Sequence, residues 1–135
     1  HWAQYRKIQP DDLLDEPMIL REEAAGTREV LLDGLLKHDI SSDMLNVAMV
    51  LGNAEAIEIA VEEELGVAFI SRLAAQRGIA LGRIVEVTVE RMHLTRHLYM
   101  ARNRRQLLTR AQVEFWEFVR KAREILPTNE PVVTG

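Results

Sequence analysis

The chain has 135 residues, with 17 Lys and Arg against 21 Asp and Glu, and a formal net charge of −4 at pH 7. This length supports one ordinary domain, and 47% hydrophobic with 28% charged residues is a globular composition. The acidic charge gives no general attraction to nucleic-acid phosphates, and the absence of cysteine excludes disulfides, thiolate metal sites and cysteine nucleophiles.

The apolar runs in the chain are short. None approaches the roughly 20 residues that cross a bilayer, so we expect no membrane segment. The first residues, His-Trp-Ala-Gln-Tyr, contain no basic region followed by an apolar one, so we also expect no secretory signal.

Three of these runs predict strands buried on both faces of a parallel sheet, at residues 17–20, 47–51 and 67–70. Helical patterns separate them. The first helix is predicted to start near Thr27 and the second after Asn53, a natural N-cap. The pattern is βαβαβ, and its crossovers bring the three strand ends to one edge of the sheet.

The second half of the chain predicts four further elements. A short helix is expected at 71–75, a half-exposed strand at 84–89 and another strand at 98–101. The capping-box spacing of Thr109 and Gln112 predicts a helix to about residue 126. Its apolar stripe needs a partner, so we expect it to pack on a neighbouring chain and make the protein oligomeric.

The three strand-to-helix turns are the candidate site. Gly26 can take a positive φ and Thr27 offers a hydroxyl at a helix start, which together suit an anion or carboxylate. Asn53 and Ser71 follow the other two strands. Each residue also has a simpler explanation as a turn or helix cap, but one topology places all of them around one point.

Catalytic motifs are missing from these turns. The sequence has no Gly-x-Ser-x-Gly elbow, Walker loop or dinucleotide fingerprint, and no base is implied beside Ser71 or Thr27. Glu22 and Glu23 are adjacent and point in opposite directions on an extended segment, so one should be solvated and the other should orient Arg21 or Arg28. We therefore expect a binding protein rather than an enzyme, without a cofactor.

His93 and His97 have the spacing of a helical metal pair. They are predicted to straddle a loop and a strand start, however, so we expect no metal site there.

Three segments in register resemble the co-inducer domain of LysR-type transcriptional regulators. They are Pro-Met-Ile-Leu-Arg-Glu-Glu at 17–23 leading into Gly-Thr-Arg at 26–28, Leu-Gly-Asn-Ala-Glu-Ala-Ile at 51–57, and Gly-Val-Ala-Phe-Ile-Ser-Arg-Leu-Ala at 66–74. The likeness runs from about Gln9 to Val119 and looks closest to the branch containing regulators of carbon-fixation and sulfur-assimilation genes.

The resemblance implies an α/β fold of the type-2 periplasmic-binding-protein kind, a three-layer sandwich with a mostly parallel sheet. Residues 1–126 would be a fragment of the effector-binding domain. Within it, 11–82 would be mostly the second lobe, and 83–126 would hold the return strands and the C-terminal helix of an incomplete first lobe. Residues 127–135 would be a flexible tail.

The resemblance also implies a function. A small, anionic effector would bind in the cleft between the lobes and shift their arrangement in a homodimer or homotetramer. The residues implied to line the cleft are Arg21, Ala25, Gly26, Thr27, Arg28, Asn53 and Ser71. In the commoner family pattern a Ser stands at Ala25 and a Ser or Thr at Asn53. DNA would be contacted only through an N-terminal helix-turn-helix that this sequence lacks, in a cytoplasmic protein.

Two alternatives share the fold. A solute-binding protein of a transporter would carry a secretory signal in the full gene. A dehydratase acting on a carboxylated substrate would need a general acid in the cleft, and Glu22 is the one candidate for it.

Overall fold

A computed structural model of the chain describes residues 4–96, 105 and 107–125. The chain forms two compact units, His1–His97 and Leu98–Gly135. The strand predicted at 98–101 and the tail at 127–135 lie outside the described residues.

Five short strands and four α-helices make up the regular structure of the described residues. The strands are β1 (Lys7–Ile8), β2 (Met18–Arg21), β3 (Val47–Leu51), β4 (Val67–Ala68) and β5 (Thr88–Val89). The helices are α1 (Gly26–Leu36), α2 (Ala54–Glu62), α3 (Arg72–Ala80) and, in the second unit, α4 (Arg110–Ile125). Two 3-10 helices, Pro10–Asp15 and Ser42–Met44, precede β2 and β3. None of the helices in this part of the chain combines the length and apolarity needed to cross a bilayer.

All strand pairs among the described residues are parallel. β2 is the middle strand of a three-stranded sheet in the order β3-β2-β4, and β1 and β5 form a separate two-stranded sheet. In the larger sheet, Arg21 lies opposite Leu51 at the carboxyl end and Met18 lies opposite Val67 near the start. The predicted α/β class and parallel pairing are confirmed.

Strand β2 holds helices on both faces of the sheet, because successive side chains of a strand point to opposite sides. Met18 belongs to the core cluster that contains Leu31 and Leu35 of α1, whereas Ile19 packs with Ile57 of α2. Helix α3 packs on α2. The layers are therefore helix, sheet and helix, as the resemblance implied.

The prediction that all three strands are buried on both faces is wrong for β3. Met18, Ile19 and Leu20 of β2 are at most 2% exposed, but Val47 and Val50 of β3 are 41% and 49% exposed. Among the described residues, strand β3 pairs with β2 alone, so its apolar composition does not bring full burial.

The strand predicted at 84–89 is shorter in the structure. Only Thr88–Val89 pair, because their partner β1 is two residues long. Val89 is buried and Val87 packs against the same core cluster, but Val85, which would share their face of a regular strand, is exposed.

The helices agree with the sequence in position and differ in extent. Helix α1 starts one residue before Thr27, and Leu36 is exposed rather than on the buried face. Helix α3 extends to Ala80, beyond the predicted 71–75. The capping box of α4 is present: Thr109 N donates to Gln112 Oε1 (2.9 Å), and Gln112 N donates to Thr109 Oγ1 (3.3 Å).

Gly66 is required by close packing rather than by the end of a helix. Helix α2 already ends at Glu62, and Glu64 takes the left-handed conformation with φ 58°. A Cβ atom at Gly66 would overlap the carbonyl oxygen of Pro17, which accepts a hydrogen bond from Val67 N at 2.9 Å. The missing side chain therefore lets β4 approach β2.

We expect Gly66→Ala to lower the free energy of unfolding by about 2 kcal/mol, because the new methyl group meets backbone that cannot move without breaking the sheet. Gly52→Ala is the matched control, since a Cβ there meets nothing within 4 Å, and it should change stability by less than about 0.5 kcal/mol. Urea denaturation followed by circular dichroism measures both. Equal stability of the two variants would contradict this role of Gly66.

Candidate functional site

Three turns follow the carboxyl ends of the larger sheet. The first turn, residues 22–25, joins β2 to α1; the second, residues 52–53, joins β3 to α2; the third, residues 69–71, joins β4 to α3. Because the strands are parallel and β2 lies between the other two, the first turn is central and the other two flank it.

Hydrogen bonds join the first and second turns. The Nη2 atom of Arg21 donates to the carbonyl oxygen of Gly52 at 3.2 Å, and the Glu22 amide donates to the carbonyl oxygen of Leu51 at 3.3 Å. A side chain at the end of β2 thus fixes the backbone that precedes Asn53. These two turns form one continuous surface.

Arg21 and Glu22 form a bidentate ion pair. Nε and Nη2 of Arg21 each lie 2.8 Å from an oxygen of the Glu22 carboxylate. The hydrogen bonds from Arg21, and next a backbone hydrogen bond, lower the pKa of Glu22 to about 2. Glu22 is therefore ionised near neutral pH and cannot donate a proton as a general acid. Glu23 is exposed, so the predicted division between one solvated and one orienting carboxylate is what the structure has.

The second arginine of this region, Arg28, is held by backbone. Its Nη1 donates to the carbonyl oxygen of Arg21 at 3.1 Å. None of the ion pairs among the described residues involves Arg28. Its positive charge thus lies beside the first turn of α1 without a paired carboxylate there.

The N-terminus of α1 contains the three small residues of the predicted site. Ala25 is the buried N-cap residue and makes no side-chain cap bond. Gly26 does not adopt the positive φ that its sequence position permits, and a Cβ there would meet only Arg96 Nη1, at 3.9 Å. The amides of Gly26 and Thr27 belong to the helix turn whose donors have no intrahelical partner.

The hydroxyl of Thr27 is the unsatisfied group of this region. Its Oγ1 atom is buried and has no hydrogen-bond partner among the described residues. A buried polar atom left unpaired costs about 1–3 kcal/mol, which a ligand atom bonded to it would recover. Because the oxygen is shielded from solvent, a ligand can reach it only after a local rearrangement.

Asn53 and Ser71 differ from each other although both occupy N-cap positions. Asn53 Oδ1 accepts a hydrogen bond from Ala56 N at 2.7 Å, so its side chain is engaged in capping α2. Ser71 precedes α3 but makes no side-chain cap bond. The hydrogen bonds of the described residues connect Arg21, Arg28 and the second turn, whereas Ser71 shares the sheet edge through the topology alone.

Arg96 is the residue near this surface that the sequence did not indicate. It lies far along the chain from Gly26 and in no predicted element, and its position follows from how residues 91–96 fold back on α1. No sequence signal would have selected it among the 17 Lys and Arg residues.

A cavity of about 250 Å³ adjoins the third turn, whose residues Phe69 and Ile70 line it. It is lined by β4, by α3 and by residues 85–89, with the Arg72–Glu86 ion pair (3.2 Å) at its wall. None of the seven predicted residues lines it. The first and second turns therefore lie outside this cavity, whereas the third turn borders it. In the described residues, no three His, Asp or Glu side chains are placed to hold a metal ion, and His97 lies outside them.

We expect Asn53→Ala to lower the free energy of unfolding by about 1 kcal/mol, because it removes the bond to Ala56 N. Ser71→Ala removes no cap bond and should leave stability within about 0.5 kcal/mol of the original. Thermal and urea unfolding of the two variants provide the comparison. A larger loss for Ser71→Ala than for Asn53→Ala would show that the assignment of caps is wrong.

The pKa of Glu22 is measurable by NMR titration of its side-chain carboxyl carbon, with an expected midpoint of about 2. Arg21→Gln should raise that pKa toward the ordinary value of 4.5, while Arg28→Gln should not, because Arg28 does not contact the carboxylate. Because the folded-state pKa is lowered, the ion pair's contribution to stability is complete above pH 4.5 and disappears as the pH falls through 2. An unchanged midpoint in Arg21→Gln would exclude this pair as the cause.

Comparison with known proteins gives the chain a family. The family described as LysR substrate binding domain matches residues 1–124. An HTH-type transcriptional regulator of Methanocaldococcus jannaschii, MJ0300, is 39% identical over 111 residues, which are 82% of this chain and 38% of the relative. The HTH-type transcriptional regulator YeiE of Escherichia coli K12 is 36% identical over 108 residues, 80% of this chain and 36% of the relative.

A probable RuBisCO transcriptional regulator of Chlorokybus atmophyticus is 31% identical over 114 residues, 84% of this chain and 36% of the relative. The chain thus spans less than two fifths of the length of these relatives. Since the family matches nearly the whole chain, the resemblance inferred from the three segments is confirmed, and the chain belongs to the LysR substrate-binding domain family.

Proposed function

We propose that this chain senses a small anionic effector for a LysR-type transcriptional regulator, and that the effector binds over the first and second turns. The observation that carries the proposal is the hydrogen-bonded union of these turns at the carboxyl end of a parallel sheet, beside the N-terminus of α1. Ligands of open α/β sheets bind at this position in general.

The chemistry of the surface supports an anionic ligand. Helix α1 is 11 residues long, and its N-terminus contributes about half a positive charge. Arg28 adds a full charge that no described carboxylate pairs. Arg21 contributes less, because Glu22 neutralises it. The ligand would accept hydrogen bonds from the free amides of α1 and, after a local rearrangement that exposes it, from the hydroxyl of Thr27.

The proposed site residues are the seven that the resemblance implied: Arg21, Ala25, Gly26, Thr27, Arg28, Asn53 and Ser71. The structure modifies their roles. Arg21 would position the second turn, Asn53 would preserve the start of α2, and the ligand contacts would come from Gly26, Thr27 and Arg28. Ser71, with no cap bond of its own, has a hydroxyl to offer from the third turn.

The proposed mechanism is a population shift. Residues 11–82 would be most of the second lobe and 83–126 would return to the first, so that an effector held between the lobes favours one arrangement of them. A homodimer or homotetramer would pass that change to helix-turn-helix domains on DNA, in the cytoplasm. Differential affinity of the effector for the two arrangements is all that this mechanism requires.

An enzymatic role has less support than sensing. The relatives described above are transcriptional regulators by name. The one proposed general acid, Glu22, is ionised at neutral pH because its pKa is about 2. We therefore propose that the chain binds its ligand without converting it.

The test is a thermal-shift screen of small carboxylates, phosphates and sulfonates on the chain, followed by calorimetry on the compounds that stabilise it. Thr27→Ala combined with Asn53→Ala should weaken binding at least about tenfold, the effect of losing about 1.4 kcal/mol of interaction, without unfolding the chain. Thr88→Ala, an exposed threonine in β5, is the matched control. Unchanged affinity in the double variant would remove the site assignment.

A further inference from the structure

The segment that follows β5 lies along the whole of α1. We name residues 91–96 the strap. At the C-terminal end of α1, the His38 ring Nε2 lies 3.2 Å from the carbonyl oxygen of Arg91. In the last turn of α1, a Cβ atom at Gly34 would overlap Leu94 Cδ2. At the N-terminal end, Arg96 Nη1 lies 3.9 Å from the Cβ position of Gly26.

The strap is about as long as the stretch of chain from Gly26 to His38 that it lies beside. From His38 back to Gly26 is 12 residues, or about 18 Å at the rise of an α-helix. From Arg91 to Arg96 is five residues, or about 17 Å of extended chain. The strap therefore runs antiparallel to α1 after the turn at Arg91 (φ 59°), and the long side chain of Arg96 reaches the start of the helix.

Packing fixes the strap between its ends. Met92 and Leu94 are partly buried and pack against the core cluster on the α1 face of the sheet. Leu94 fits against α1 because Gly34 has no side chain. Arg96 is thereby presented to the N-terminus of α1 by a segment that belongs to the core.

The charge of Arg96 has no carboxylate to pair with in the part of the chain that is described. Around Gly26 the same part of the structure has a helix N-terminus, Arg28 without an ion pair, and the buried, unpartnered hydroxyl of Thr27. Glu23 and Glu29 lie close by in the chain but form no described ion pair with Arg28 or Arg96. The two guanidinium groups and the helix dipole can therefore still hold an anion.

We propose that Arg96 is a further effector-binding residue, which closes over the anionic group of the ligand from the side opposite the α1 backbone. This inference rests on the function proposed above and adds to it a residue from outside the three turns. The ligand class is a small molecule with a carboxylate, phosphate or sulfonate group, because these groups accept the paired donors of a guanidinium. Gly26 would then be small in order to leave room for that group between the helix and Arg96.

The experiment uses the full chain and three probes: inorganic phosphate, inorganic sulfate and succinate. Calorimetry at constant ionic strength should show that Arg96→Gln weakens the probe that binds by about five- to tenfold, as expected for a charge-assisted hydrogen bond at a solvent-exposed position. Arg91→Gln is the matched control. It removes the same charge from the other end of the strap and should change affinity less than about twofold.

A second variant tests the space rather than the charge. Gly26→Ala adds a methyl group where only Arg96 is near, so the chain should fold normally and bind the probe more weakly than the original. In two-dimensional ¹⁵N–¹H spectra, the amides of Gly26 and Thr27 should shift with the probe in the unmodified chain and in Arg91→Gln.

Each remaining outcome decides against some part of the proposal. Equal losses in Arg96→Gln and Arg91→Gln would overturn the role of Arg96 in favour of a general charge effect. A loss in Gly26→Ala with none in Arg96→Gln would overturn Arg96 alone and leave the proposed site intact. Binding that neither variant affects would reject the site itself, and no binding of any probe by the unmodified chain would overturn the ligand class assigned to Arg96.

Discussion

The burial of β2 on both faces is the constraint on which the rest of the structure depends. Its side chains alternate between a core with α1 and a core with α2, and each of its three apolar residues is at most 2% exposed. If a strand that is buried on both faces slips by one residue, every side chain moves to the opposite face and into the wrong core. Arg21 therefore always emerges at the carboxyl edge, where its side chain reaches the backbone of the second turn.

The charges at that edge of the sheet matter as much as the positions of its turns. The Arg21–Glu22 pair has no net charge, and Arg21 joins the two turns through the Gly52 carbonyl oxygen. The pair therefore fixes the turns but adds little to the electrostatic potential. The positive charge comes instead from the α1 N-terminus and from Arg28 and Arg96, which form no ion pair among the described residues. In the proposed site, the residues that join the turns are therefore different from those that would bind the ligand.

Much of this was predictable from the sequence. The runs at 17–20, 47–51 and 67–70 predicted parallel strands, Asn53 predicted a cap and Thr109 with Gln112 predicted a capping box, because each pattern depends on residues close together in the chain. Exposure of β3 and the two-residue length of β5 were not predictable, since both depend on which strands are neighbours. The roles of Gly66 and Gly34 likewise depend on what packs against them.

The sequence by itself determined the family, the α/β class, the parallel direction of the strands and the sheet edge at which the turns lie. Local periodicity and short motifs specify these features. Only the tertiary structure decided which side chains at that edge are engaged and which are free. The Asn53 side chain caps its helix and Glu22 is paired with Arg21, whereas the Thr27 hydroxyl has no hydrogen-bond partner among the described residues. The tertiary structure also brought Arg96 close to Gly26 across 70 residues of chain, because the segment before Arg96 packs along a helix, and this arrangement leaves no pattern in the sequence.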